Sequence, residues 1–228
     1  MTGILASVNS LEEAVIALES KVDIIDLKQP KRGALGALDT ETISQIVAHI
    51  NHKCPISATI GDLPMQAEEI MDAVIKTANT QVNFIKIGFF PGNAWEATVN
   101  KLSTLARRGL NLIAVLFADQ QPDYQILEVL STAGFYGVML DTMDKSQGSL
   151  TQVMPEHVIK KFVEKAKCQQ MLCGLAGSLR KEDIPQLLPF EPDYLGFRGA
   201  ICRQHNRVAE LDKQALQTIH HAISGGRL

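Results

Sequence analysis

Asp26 and Lys28 stand two residues apart in D-I-I-D-L-K (23–28), a short run rich in β-branched residues. Side chains alternate along a strand, so Ile24, Asp26 and Lys28 share one face while Ile25 and Leu27 share the other. A lone Asp-x-Lys is as readily a satisfied ion pair at a strand end as a reactive site, so the question is whether other strands repeat the pattern. They do. Lys86 lies in F-I-K-I-G, Asp119 just beyond L-I-A-V-L-F, Asp141 in M-L-D-T with Lys145 four residues later, and Arg198 in G-F-R-G-A. Desolvating so many charges on inner strand faces is costly, and core packing does not explain it. An amine attacks a carbonyl only when unprotonated, and burial beside other ammonium groups lowers its pKa. Lys28 is the natural nucleophile of such a set, with Lys86 and Lys145 depressing it and Asp26 and Asp141 moving protons. This is the signature of Schiff-base chemistry on a carbonyl substrate.

The elements that must position these groups alternate from end to end. Strand-like runs fall at 4–8, 22–28, 55–60, 84–88, 112–117, 137–141, 171–175 and 194–198. Helical patterns lie between and after them, at 11–19, 41–51, 66–77, 95–108, 124–133, 156–167, 181–188 and 212–224. Ser10 and Asp39 or Thr40 are fitted to cap the first two helices, and Gly109 and Gly134 sit where helices four and five should close. Eight β-α units in strict alternation predict a parallel sheet closed into a (β/α)8 TIM barrel, one domain over 1–228. An open doubly wound sheet is the structural rival. It is disfavoured because no G-x-G-x-x-G follows the first strand.

In such a barrel the chemistry gathers at the C-terminal strand ends, and the loops after strands seven and eight commonly hold phosphate on backbone amides. Small residues stand at both places: Gly177 and Ser178 in L-A-G-S-L-R, Gly199 and Ala200 in F-R-G-A. These four, with Arg198 adding charge and Asp119 at the end of the fifth strand, form the predicted substrate- and phosphate-binding group. Arg203, Asn206 and Arg207 follow the eighth strand and are placed to line the rim or to face solvent.

Composition narrows the function classes. Hydrophobic residues make up 46% and charged residues 21% of the 228, ordinary for a soluble globular protein. A formal net charge of -3 supplies no basic excess for a nucleic-acid binder. No run approaches 18 apolar residues and no charged-then-apolar leader pattern opens the chain, so neither a membrane span nor a signal peptide is expected. Cys54, Cys168, Cys173 and Cys202 show no C-x-x-C spacing, and the six histidines are scattered. The expectation is a reduced, cytoplasmic protein without a structural metal or an organic cofactor. His220 and His221 read as surface residues, and apolar outer faces would permit self-association without requiring it.

The motifs D-I-I-D-L-K-Q-P-K-R-G-A-L-G-A, S-A-T-I-G-D-L-P, F-I-K-I-G, M-L-D-T-M-D-K, L-A-G-S-L-R-K-E-D-I and G-F-R-G-A-I-C, in this order, resemble the (5-formylfuran-3-yl)methyl phosphate synthase family. That resemblance implies a (β/α)8 lyase condensing two molecules of glyceraldehyde 3-phosphate, with loss of phosphate and water, for methanofuran-type cofactors. It also implies Lys28 as Schiff-base lysine with Asp26 as its partner, and Lys86, Asp141 and Lys145 as further site residues. The segment 202–210, C-R-Q-H-N-R-V-A-E, departs from the family's Gly- and Asp-containing basic stretch, and the loop F-F-P-G-N-A-W (89–95) reads as individual to this protein. Two rivals remain: a class I aldolase that stops at the carbon–carbon bond, and a non-catalytic barrel that binds a phosphorylated metabolite. The second would need the anion site but not the Asp26–Lys28 pair.

Overall fold

The computed structural model describes residues 1–90 and 95–225, so residues 91–94 of the loop noted above lie outside it. Short β-branched and aliphatic runs become strands β1 (Gly3–Val8), β2 (Ile24–Leu27), β3 (Ile56–Thr59), β4 (Phe84–Gly88), β5 (Leu112–Phe117), β6 (Gly137–Asp141), β7 (Leu172–Leu175) and β8 (Tyr194–Phe197). They pair in parallel in chain order, and β8 returns to β1 to close the barrel through Gly3↔Tyr194, Ile4↔Leu195, Leu5↔Gly196 and Ala6↔Phe197. The expected TIM barrel is the fold.

Amphipathic segments form the outer ring: α1 (Leu11–Glu19), α2 (Thr40–Ile50), α3 (Ala67–Ala78), α4 (Trp95–Ala106), α5 (Ile126–Thr132), α7 (Glu156–Cys168) and α9 (Lys213–Gly225), with a short α6 (Leu150–Val153) in the loop after β6. Ser10 caps α1 by accepting from the Glu13 amide at 3.2 Å, and Asp39 caps α2 by accepting from the Thr42 amide at 2.8 Å. The helix expected over 181–188 is instead broken. It is split into a 3-10 turn, α8 (Ile184–Leu187) and a second 3-10 turn, because Pro185 and Pro189 each remove a backbone donor from the ladder. No described helix is long and apolar enough to cross a membrane.

Strand alternation divides the apolar side chains into two layers. Ile25, Leu27, Ile85, Ile87, Val138 and Leu140 point outward under the helices. Leu5, Ile24, Ile113, Val115, Phe117, Met139 and Tyr194 fill the barrel interior. Burying a large aliphatic side chain contributes about 1.5–3 kcal/mol, so both layers are needed to hold the ring. The inner layer is the floor on which the charged residues stand. Register sets their height: Ser7 lies opposite Asp26, Asp26 opposite Ser57, and Thr59 opposite Lys86.

Candidate active site

Because Ser7, Asp26 and Ser57 share one row across β1, β2 and β3, two hydroxyls flank one carboxylate. Ser7 donates to Asp26 Oδ2 at 2.8 Å and Ser57 donates to Oδ1 at 2.6 Å. Lys86, coming from β4, donates to the same Oδ1 at 2.8 Å. Asp26 is 0% exposed and Lys86 1%, which makes this a sealed ion pair with its acceptors filled. Burial alone would raise the Asp26 carboxyl, but the ammonium groups of Lys86 and Lys28 and the hydrogen bonds outweigh it, and its pKa lies below the ordinary value. The two serines carry no motif. Their signal was a hydroxyl on the inner face of an otherwise apolar strand.

The second pair faces it from β6. Lys145 curls back one helical turn to donate to Asp141 Oδ1 at 2.5 Å and also to the Thr142 carbonyl. The Thr142 amide donates to the same Asp141 oxygen at 2.7 Å. Asp141 is pushed down to about 2: burial works against ionisation, and Lys145, Lys28 and these hydrogen bonds more than offset it.

Lys28 stands between the pairs, its backbone amide extending the ladder to the Val8 carbonyl at 3.0 Å. Its side chain, 7% exposed, lacks a hydrogen bond or ion pair among the described residues. Burial draws its amine down to about 8; Asp141 and Asp26 oppose that fall, and Lys86 and Lys145 add to it. At pH 7 roughly a tenth of such amines are neutral, against well under a thousandth at an ordinary lysine.

A cavity of about 380 Å³ opens above Lys28, Asp141 and Lys145, with Lys86 and Asp26 beneath it rather than on its wall. Gly177, Ser178, Gly199 and Ala200 line its far side. Among the described residues their backbone amides meet no protein acceptor, leaving four donors at the loops after β7 and β8. Gly177 holds φ at +107°, and a Cβ there would stand 2.8 Å from the Thr142 methyl, so the turn needs glycine.

Two of the predicted binding residues have their polar atoms engaged by the protein itself. Arg198 borders the cavity. Its guanidinium donates to both Glu13 oxygens and to the carbonyls of Ser7, Arg207 and Ala209, which uses all five N–H groups. Glu13, on α1, was not recognised because its partners are remote in sequence. Asp119 is likewise engaged: its two oxygens accept the amides of Met143 and Asp144 at 2.8 Å each, fixing the loop that carries Lys145. Asp62 does the same for the loop after β2, accepting the Ala34 and Leu35 amides at 2.8 and 2.7 Å. Of the rim residues, Asn206 and Arg207 reach the cavity wall together with His205 and Arg180, whereas Arg203 forms an exposed ion pair with Glu210.

Residues 4–220 match the family model described as 4-HFC-P synthase. The chain belongs to that family. It is 39% identical over 98% of its length to a Methylorubrum extorquens protein, provisionally named a (5-formylfuran-3-yl)methyl phosphate synthase, of which it covers 92%. It is 32% identical over 87% of its length to the (5-formylfuran-3-yl)methyl phosphate synthase of Methanosarcina mazei, covering 89% of that protein. Membership makes this chain an enzyme of the synthase type, and the lysines and aspartates described above are its candidate active site. Solved structures share the architecture at low identity. Phosphoribosyl anthranilate isomerase from Thermus thermophilus superposes with a TM-score of 0.70 at 12% identity, all of both chains being covered. A 3-hexulose-6-phosphate synthase gives 0.65 at 16%, with 97% of this chain and 100% of that one covered. These support the barrel and nothing finer.

Proposed function

We propose that the protein is a metal- and cofactor-independent lyase that joins two molecules of glyceraldehyde 3-phosphate into (5-formylfuran-3-yl)methyl phosphate. One inorganic phosphate and two waters balance the equation. The observation that carries this reading is the position of Lys28: of the three lysines in the barrel it is the one outside an ion pair among the described residues, it faces the cavity, and two carboxylates stand within its field. Its neutral amine adds to a triose carbonyl and loses water to give the imine. Asp141, ionised and on the cavity wall, takes a proton from the adjacent carbon and yields an enamine. The enamine attacks the aldehyde of the second triose. Lys145, hydrogen-bonded to Asp141, returns protons to departing oxygens as phosphate and water leave, and the hydroxyl that closes the ring displaces the Lys28 amine, breaking the C–N bond and freeing the enzyme. Asp26 and Lys86, lying below, hold the field in which Lys28 stays partly neutral. The free amides at Gly177, Ser178, Gly199 and Ala200 hold a substrate phosphate.

Supplying glyceraldehyde 3-phosphate and following phosphate release together with near-ultraviolet absorbance tests the reaction. The expected result is both signals in step, and one triose mass on the Lys28 peptide after borohydride reduction. A sugar phosphate formed without phosphate release would show an aldolase instead. Borohydride labelling on Lys86 or Lys145 in place of Lys28 would overturn the assignment of roles.

A further inference from the structure

The reaction proposed above brings two phosphates into one cavity, and the amides after β7 and β8 account for one. Arg198 cannot serve the other, since its fork is filled. Arg207 can. Its side chain lines the cavity and reaches across the mouth of β1 to the loop after β2, where Nη2 donates to the Gly33 carbonyl at 2.9 Å. Among the described residues that carbonyl is its one hydrogen-bond acceptor, so most of the guanidinium remains open to a ligand. The closed ring places β8 and β1 between β7 and β2, so a guanidinium held at Gly33 has its tip at the loop after β2, across β1 from the loops that carry the free amides.

Both ends of the reach are rigid. Arg198 Nε donates to the Arg207 carbonyl at 2.8 Å and Nη2 to the Ala209 carbonyl at 2.9 Å, while the Leu211 amide donates to Glu13 at 2.9 Å. At the far end Gly33 is fixed against Asp62, so closely that a Cβ on it would overlap the carboxylate. A half-buried guanidinium so aimed, with so little paired to it, is a preorganised anion clamp.

We propose that Arg207 binds the phosphate of the second triose, with the Arg198–Glu13 pair as its positioning group and the β7 and β8 amides holding the first. This rests on the two-triose reading, and the test separates the two. In Arg207→Ala, borohydride should still label Lys28 with one triose at a near-native substrate concentration. Phosphate release should fall by about 10- to 100-fold at low substrate, the factor carried by charge-assisted hydrogen bonds. Arg207→Lys or added methylguanidinium should recover part of it. Loss of labelling along with turnover would place Arg207 at the first phosphate and overturn the proposal, as would native turnover in Arg207→Ala. Absence of labelling in the native enzyme would instead refute the Schiff-base reading. Titration with inorganic phosphate is independent of the imine: two sites per chain are expected in the native protein and one in Arg207→Ala, and equal numbers in both would refute the clamp. Arg198→Lys should weaken turnover at low substrate more than at saturation, since it loosens the aim of Arg207 without removing it.

Discussion

Lys86 holds Asp26 at 2.8 Å and Lys145 holds Asp141 at 2.5 Å, yet the first pair is sealed within the barrel and the second borders the cavity. Two hydroxyls flank the inner carboxylate, whereas the outer pair joins the end of β6 to a loop lysine beside space a substrate can fill. In the mechanism proposed above, chemically alike pairs are given different work: the sealed charge sets a field, and the charge at the cavity exchanges protons. Lys28, paired with neither, feels both.

The largest effect expected from breaking this arrangement is at Lys28. Lys28→Arg keeps the charge but cannot form an imine, because guanidinium does not deprotonate in the working range. Turnover should drop by roughly 10⁴-fold or more, as for loss of a covalent nucleophile, with little change in melting temperature. Residual activity within tenfold of native would end the division of labour among the three lysines.

A paired comparison sharpens the contrast between the carboxylates. Asp141→Asn should lower kcat by about 10²–10³-fold, the range of a general base, while Lys28 is still labelled by borohydride. Asp26→Asn should act chiefly on stability, costing about 3–5 kcal/mol in urea unfolding because it leaves Lys86 charged and buried without its counter-ion. If the two variants exchanged these profiles, the sealed pair would be the catalytic one.

The smallest effects come from pH. The Asp141 carboxyl is lower in the folded chain, about 2 against 3.8, so its stabilisation is present above pH 4 and is lost as pH falls toward 2, on the order of 2 kcal/mol. Lys28 has the opposite sense. Its folded amine titrates near 8 and its unfolded amine near 10.5, so the unfolded chain binds more protons between those values. Stability from this group therefore rises with pH from 8 to 10.5, on the order of 3 kcal/mol, and Lys28→Met should remove that slope in unfolding measurements. Imine formation in the native enzyme should likewise climb through pH 8 and level off above it.

Much of this architecture was legible in the chain. The strands at 84–88, 112–117 and 137–141 stand where their apolar runs predict, and period-two alternation puts Lys86 and Asp141 on the inner face, Asp141 at the cavity wall and Lys86 beneath it. The lysine–aspartate partnering was less legible, since Asp-x-Lys on β2 suggested that Asp26 serves Lys28, whereas Lys86 takes it from β4, two strands along the ring. Arg198 illustrates the limit. Four residues accept its hydrogen bonds, and Ser7 and Glu13 lie 191 and 185 positions away, a distance over which no local pattern carries information. The short α6 and the broken 181–190 segment escape the sequence for a nearer reason: one turn of helix is too short to show periodicity, and Pro185 and Pro189 interrupt a pattern whose apolar spacing is otherwise continuous.

The Glu13–Arg198 link has a consequence for how the protein comes alive. It ties the first strand's exit to the last strand's, one of several closures spanning most of the chain that add to the slow, non-local side of its folding. Lys28 is synthesised early, but in an open chain it is an ordinary protonated lysine, inert toward the aldehydes of the cell. Only when the ring shuts is it buried among its neighbours and made nucleophilic. In the proposed mechanism the seam that completes the barrel thus also arms the amine, and before it closes Lys28 reacts no faster than any other lysine.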